Sequence, residues 1–135
     1  MIFEVSINTT GKNCYRDITG NIESVVYNSN ILDGICLVFV PHTTAAVTIN
    51  EGYDEAVIED LLNYLNILIP KNPKDIVFKH MEGNSDAHIK ASLIGNNVCI
   101  PVSNGKLVLG KWQKVIFLEF DGPRTRRIII KVVGK

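Results

Sequence analysis

No apolar run in this chain is longer than a strand. The longest, Ile35–Val40, is bounded by Gly34 and Pro41, and the others are likewise closed within a few residues by Gly, Pro, Asn or Asp. A helix that crosses a bilayer needs about 20 consecutive apolar residues, so no membrane partner is expected. Short apolar runs separated by turn residues read instead as strands joined by tight connections. With 46% hydrophobic and 21% charged residues in a chain of 135, there is enough apolar side chain for one buried core and little room for a second domain. The expected organisation is a single domain over residues 1–135.

Ile2–Ile7 alternates tolerably as a half-buried strand. Asp17–Asn30 places Ile18, Ile22, Val25 and Val26 near helical spacing, with Asp17 as its N-cap. Gly34–Pro41 is almost wholly apolar, the pattern of a strand buried on both faces, and Ala45–Ile49 is again strand-like. The clearest helix is Asp54–Leu68. Its apolar residues recur at three and four, Asp54, Glu55 and Glu59 sit at its positive end, and Pro70 and Pro73 close it. The polar stretch Phe78–His88 follows, and Ser85–Ile94 reads as a short helix capped by Ser85 and ended by Gly95, or as a strand. The rest reads as β: Asn97–Val102, a hairpin turn at Ser103-Asn104-Gly105, Lys106–Leu109, and the long strands Trp112–Phe120 and Arg127–Val133. Two or three helices packed on a mainly antiparallel sheet give an α+β fold with β-sandwich or barrel-like closure.

Lys plus Arg equals Asp plus Glu at 14 each, for a formal net charge of zero. Broad nucleic-acid binding draws on a surplus of cations to displace phosphate counterions, so no nucleic-acid partner is expected. Cys14, Cys36 and Cys99 are odd in number and form no CxxC pair, and Cys36 and Cys99 lie inside apolar runs. Cys36 and Cys99 read as buried small hydrophobes, the compartment as reducing, and with no secretory pattern at Met1–Val5 the expected location is the cytoplasm.

The chemistry is concentrated in a few polar segments. The three histidines, His42, His80 and His88, all stand at the ends of apolar elements beside small polar or acidic residues. Strand ends and the loops beyond them are where a rigid sheet delivers side chains to a pocket. Neutral imidazole binds divalent metals and exchanges protons near neutral pH. Three histidines therefore suggest zinc or another transition metal, although no HExxH or HxH spacing requires one and each could be a plain loop residue. Glu119, between Leu118 and Phe120, needs a partner or a role if it is buried. Arg124 and Arg126 share one face of an extended chain with Arg127 opposite, and a guanidinium fork suits phosphate oxygens. Charges at a strand start also serve to discourage edge pairing.

Four blocks carry a resemblance. They are His42-Thr-Thr-Ala-Ala-Val-Thr-Ile-Asn-Glu51, His80-Met-Glu-Gly-Asn-Ser-Asp-Ala-His-Ile-Lys-Ala-Ser92, Asn104-Gly-Lys-Leu-Val-Leu-Gly-Lys-Trp-Gln113 and Glu119-Phe-Asp-Gly-Pro-Arg124. In this order they resemble the YjbQ family, also called the secondary thiamine-phosphate synthase family. The resemblance implies a barrel-like α+β subunit, a homotrimer with its site near subunit boundaries, and thiamine-phosphate synthase activity. That reaction joins a pyrimidine diphosphate to a thiazole phosphate and releases pyrophosphate. Carried over position by position, the implied site comprises His42, Thr43, Thr44, Asn50 and Glu51; His80, Glu82, Asn84, Asp86 and His88; and Gln113, Glu119 and Arg124.

Within that set the expected roles are metal binding by His42, His80 and His88, acid–base work by Glu51, Asp86 or Glu119, and substrate binding by Thr43, Thr44, Asn84, Gln113 and Arg124. The substrate expected is a small phosphorylated molecule. Magnesium would replace zinc if the reaction is thiamine-phosphate synthesis. A metal-dependent hydrolase or phosphatase with three histidine ligands, and a non-catalytic trimeric module that binds a ligand or metal, are the other readings of the same residues.

Overall fold

The computed structural model describes all residues, Met1–Lys135. In chain order the elements are β1 (Ile2–Asn8), β2 (Cys14–Asp17), α1 (Thr19–Ser29), β3 (Asp33–Phe39), β4 (Ala45–Glu51), α2 (Glu55–Leu68), α3 (Ser85–Ile94), β5 (Asn97–Ser103), β6 (Lys106–Leu107), β7 (Gln113–Glu119) and β8 (Thr125–Gly134). They build two antiparallel sheets, a five-stranded one in the order β1-β8-β3-β5-β6 and a three-stranded one in the order β2-β7-β4. This is the expected α+β architecture.

Three layers explain the hydrophobic pattern. The inner face of the large sheet (Ile7, Cys36, Val38, Ile100, Ile128, Ile130) meets Val47, Val115 and Phe117 of the small sheet, with Ile18, Ile22 and Val26 at and within α1 packed into the same core. The opposite face of the small sheet (Ala46, Ile116, Leu118) packs against Ile58, Leu62 and Leu65 of α2 and Ala87 and Ala91 of α3. The small sheet is thus the middle layer, and β7 is buried on both faces from Val115 to Glu119.

The strand expected to be covered on both sides, Gly34–Pro41, is not. β3 alternates, with Cys36 and Val38 buried and Ile35, Leu37 and Phe39 exposed, because the outer face of the large sheet has no layer over it. Cys99 lies on that same sheet and is exposed rather than buried, Cys14 is half-buried, and only Cys36 is enclosed. No helix is long and apolar enough to cross a membrane.

Local chemistry accounts for most element ends. Asp54 caps α2, its carboxylate accepting from the Ala56 amide at 3.0 Å; such a cap is worth about 1 kcal/mol. The first helix starts later than its apolar spacing suggested. Asp17 closes β2, and its Oδ1 accepts from the Thr19 amide at 2.9 Å, so the carboxylate still satisfies a first-turn donor from one residue before the cap. α3 does form over Ser85–Ile94, but its cap position is Asn84 rather than Ser85. The turn between β5 and β6 places Asn104 and Gly105 at φ 52° and 75°, the left-handed pair that a two-residue hairpin requires.

Candidate functional site

One end of the sandwich opens into a cup of about 560 Å³. Three parts of the chain converge on it. The segment after β3 supplies His42, Thr43 and Thr44; the loop leading into α3, with α3 itself, supplies His80, Glu82, Asn84 and His88; and the β7–β8 connection with the start of β8 supplies Asp121, Arg124 and Arg126. All three histidines line this single cavity, which is what their placement at element ends led one to expect. The His80 and His88 rings meet edge to face, with centroids 5.2 Å apart. The Oδ1 of Asn84, buried at the wall, has no hydrogen-bond partner in the protein, while its amide nitrogen donates to Asp121 Oδ2 at 2.9 Å.

Beneath the cup lies a buried ion pair. Glu119, fully enclosed, accepts from Thr9 Oγ1 (2.8 Å), from Arg126 Nε (2.8 Å) and Nη2, and from the amides of Phe120 and Asp121 (3.1 Å each). Burial alone would raise its pKa, but these donors, Arg126 first, outweigh burial and hold the carboxyl below its ordinary range. Glu119 therefore has the partner that its apolar setting demanded, and the carboxylate is engaged in holding Arg126 rather than free to act as a base. Arg126 also donates to Thr44 Oγ1 at 2.7 Å, so its guanidinium is fixed in the wall of the cup. Sequence reasoning placed Arg126 on the same face as Arg124 but gave only Arg124 a site role. The signal was present, since Arg126 shares strand parity with the buried Ile128 and Ile130.

Arg124 is half exposed and anchored to Asp121, its Nε donating to the backbone oxygen at 2.8 Å and Nη2 to the carboxylate at 2.9 Å. Its remaining donors are free. Gly122, between them, has no alternative: a Cβ there would lie 2.4 Å from the Gly11 oxygen and 2.7 Å from Thr9 Oγ1.

Asp86 does not reach the cup. It is buried against Lys12 (2.7 Å) and Lys90 (3.5 Å), and the Lys90 ammonium also meets Asn66 of α2. Burial raises the Asp86 pKa, but Lys12 and then Lys90 more than reverse this, leaving it lowered; Lys90 is lowered chiefly by burial. The Asp86 carboxylate ties α3, which carries His88, to the β1–β2 loop, and Lys90 ties it to α2.

Glu51 and Gln113 stand furthest from expectation. They pair with each other at the far end of β4 and β7, six residues from the Ala45–Glu119 pair beside the cup, or about 20 Å along the strands. Gln113 accepts from the Gly110 amide at 2.7 Å, and exposed Asn50 accepts from the Glu51 amide, also at 2.7 Å. Within one chain these three residues take no part in the cup.

The three histidines expected to bind a metal share the cavity without forming a compact donor cluster within one chain. No three His, Cys, Asp or Glu side chains lie close enough together to hold a metal ion. His42 has its Nε2 engaged, accepting from the backbone N–H of Arg127 at 3.0 Å.

The two packed antiparallel sheets, with α2 and α3 over the outer face of the small sheet and a histidine–arginine cup at one end, define a YjbQ-like class of α+β protein. The chain belongs to the family described as UPF0047 protein YjbQ-like, whose model matches residues 3–135. It is 48% identical to a UPF0047 protein of Methanocaldococcus jannaschii over 134 residues, 99% of this chain and 95% of that protein. It is 41% identical to the UPF0047 protein YugU of Bacillus subtilis, over 99% of this chain and 100% of that one. Among solved structures, an uncharacterised YjbQ/UPF0047 protein of Clostridium acetobutylicum superposes with a TM-score of 0.92 at 46% identity, covering 97% of this chain and 99% of that one. A YbjQ-like protein of unknown function from Sulfolobus solfataricus superposes at 0.93 with 34% identity, covering 100% and 97%.

Proposed function

We propose that the protein is a small-molecule enzyme whose cup binds a phosphate-bearing substrate, and that its reaction is of the thiamine-phosphate synthase type. The observation that carries this reading is the convergence of His42, Thr43, His80, His88, Asn84 and Arg124 on one cavity. A volume of about 560 Å³ lies within the usual range for small-molecule sites. In such a reaction the carbon–oxygen bond to the diphosphate breaks, the thiazole nitrogen supplies the electron pair for the new carbon–nitrogen bond, and pyrophosphate departs. Negative charge gathers on the leaving oxygens, and fixed donors stabilise it best when they need not reorganise. Arg124 has free N–H groups for those oxygens, and Glu119 with Thr44 holds Arg126 in place at the wall.

Homotrimer assembly belongs to the same proposal and is supported by apolar side chains on the uncovered face of the large sheet, which also carries the Arg127–Glu4 ion pair and Lys131. Ile2, Ile35, Leu37, Phe39 and Val133 are 36–60% exposed there. Phe39 also lines the cup, so an assembly through this face would place a subunit boundary at its rim. A cytoplasmic setting is proposed with it, in keeping with three unpaired cysteines.

Purified protein incubated with the pyrimidine diphosphate and the thiazole phosphate should release pyrophosphate, with both reactants required and Arg124→Ala strongly impaired. Release of free phosphate from simple phosphate esters, with none from the two precursors, would replace the synthase by a hydrolase. Activity toward neither, with no phosphate-ligand binding, would leave the cup without this role.

A further inference from the structure

We infer that His42 is a neutral imidazole held as the Nδ1–H tautomer, and that it serves the cup as a hydrogen-bond donor to a phosphate oxygen rather than as a metal ligand or a base. The inference rests on the proposed phosphate-bearing substrate and names the role of one residue toward it.

The argument starts from the sheet. β3 and β8 pair from Gly34 opposite Gly134 to Phe39 opposite Ile129, and β3 then stops ahead of Pro41. β8 runs on to Thr125 with β1 on its other edge. Continuing the register would set Pro41 opposite Arg127, but no strand is there. The Arg127 backbone N–H is instead taken by the imidazole of His42, at 3.0 Å to Nε2. A backbone donor seeks an acceptor wherever the ladder ends. An imidazole nitrogen can accept only through a free lone pair, so Nε2 carries no proton.

A neutral ring has one N–H, and it must then be at Nδ1. An imidazolium would turn Nε2 into a second donor facing the Arg127 N–H. Burial and the nearby Arg126 guanidinium disfavour that cation further, lowering the His42 pKa. Nδ1 is neither sealed in the protein nor satisfied by any protein group, and the ring lines the cup. A fixed neutral N–H on a ring that lines the cup together with Arg124 is suited to polarising an anionic oxygen. The same use of a neutral histidine as an electrophile is known where a helix N-terminus lowers its pKa. A metal on Nε2 would have to displace the Arg127 amide and leave it without a partner.

The test is long-range proton–nitrogen correlation NMR on protein labelled with ¹⁵N-histidine, with and without inorganic pyrophosphate. The His42 resonances are assigned by their loss in His42→Gln. The expected pattern is a protonated Nδ1 with an unprotonated Nε2, and an Nδ1–H signal that shifts when pyrophosphate binds. His42→Asn, whose amide nitrogen falls near the Nδ1 position, should keep more affinity than His42→Gln, with the poorer variant roughly ten- to a hundredfold weaker than wild type. A protonated Nε2, or an Nδ1–H signal unmoved while pyrophosphate binds, would overturn the inference and leave the proposed function standing. Failure of pyrophosphate to bind at all would overturn both.

Discussion

Replacing Glu119 by Gln keeps the shape of the side chain and removes its charge, at a site where neither partner sees water: Glu119 is 0% and Arg126 5% exposed. Two costs follow. The Arg126 cation loses its counter-charge, and removing one member of a buried pair costs about 3–5 kcal/mol. The carboxylate also accepts from five donors. A glutamine oxygen at the Oε2 position can still take Arg126 Nη2 and the two amides, but the glutamine amide then faces Arg126 Nε, donor against donor. The Thr9 hydroxyl can turn to accept. One unsatisfied donor falls within the same figure, so a loss of about 4 kcal/mol is expected. A domain of this size has a stability of about 5–15 kcal/mol, so the variant should remain folded at 25 °C with a Tm lower by roughly 12–20 °C. The assay is urea and thermal denaturation at pH 7 of Glu119→Gln, Arg126→Met and the double variant. The double variant has no stranded charge, and the substituted side-chain oxygen can still take the Phe120 and Asp121 amides. It should therefore lose only about 1–2 kcal/mol, less than Glu119→Gln alone. Additive losses, or a Glu119→Gln penalty below about 1 kcal/mol, would refute the buried-pair argument.

Asp86→Asn should destabilise by about 3 kcal/mol or more, because it leaves Lys90 buried beside Asn66 alone. Lys90→Met should be milder, since Lys12 still pairs with Asp86; equal penalties in urea titrations would contradict this. Gly122→Ala should cost about 1–3 kcal/mol from overpacking against the Gly11 oxygen and Thr9, and an unchanged denaturation midpoint would count against the close approach. Acidification should lower stability in two stages. The folded His42 pKa is lowered, so the native state binds fewer protons and stability is lost as pH drops below about 6.5 toward the folded value. Glu119 and Asp86 are also lowered, so a further loss sets in below about pH 4. Urea midpoints across pH 3–8 that rise on acidification would reverse the assigned signs.

The legible parts of the fold were those set by local chemistry. Asp54 before a three-and-four apolar repeat and Asn104-Gly105 between short strands each specify a backbone conformation without help from distant residues. Layer position was not legible. Ile35–Val40 and Val115–Leu118 look alike as apolar runs, yet only the second lies in a middle layer, because burial of an outer face depends on what packs there. The same reason hid the exposure of Cys99. At the site, His42, His80 and His88 could be placed at element ends and do converge, and an acid inside an apolar strand implied a partner for Glu119. The sequence could not say that Arg126 is that partner, that two lysines hold Asp86 away from the cup, or that Glu51 and Gln113 end up opposite each other at the far end. The last of these belongs to strand register, which links residues more than 60 positions apart; the others depend on how the β7–β8 connection folds back and how α3 packs against the β1–β2 loop.

The central claim is that the histidine–arginine cup holds phosphate oxygens, and calorimetric titration with inorganic pyrophosphate, comparing the wild type with Arg124→Ala, tests it most directly. The account predicts saturable binding to the wild type and a loss of roughly ten- to a hundredfold in the variant, as for a charge-assisted hydrogen bond removed from an anion. Equal affinities in the two proteins, or no binding by the wild type, would contradict it.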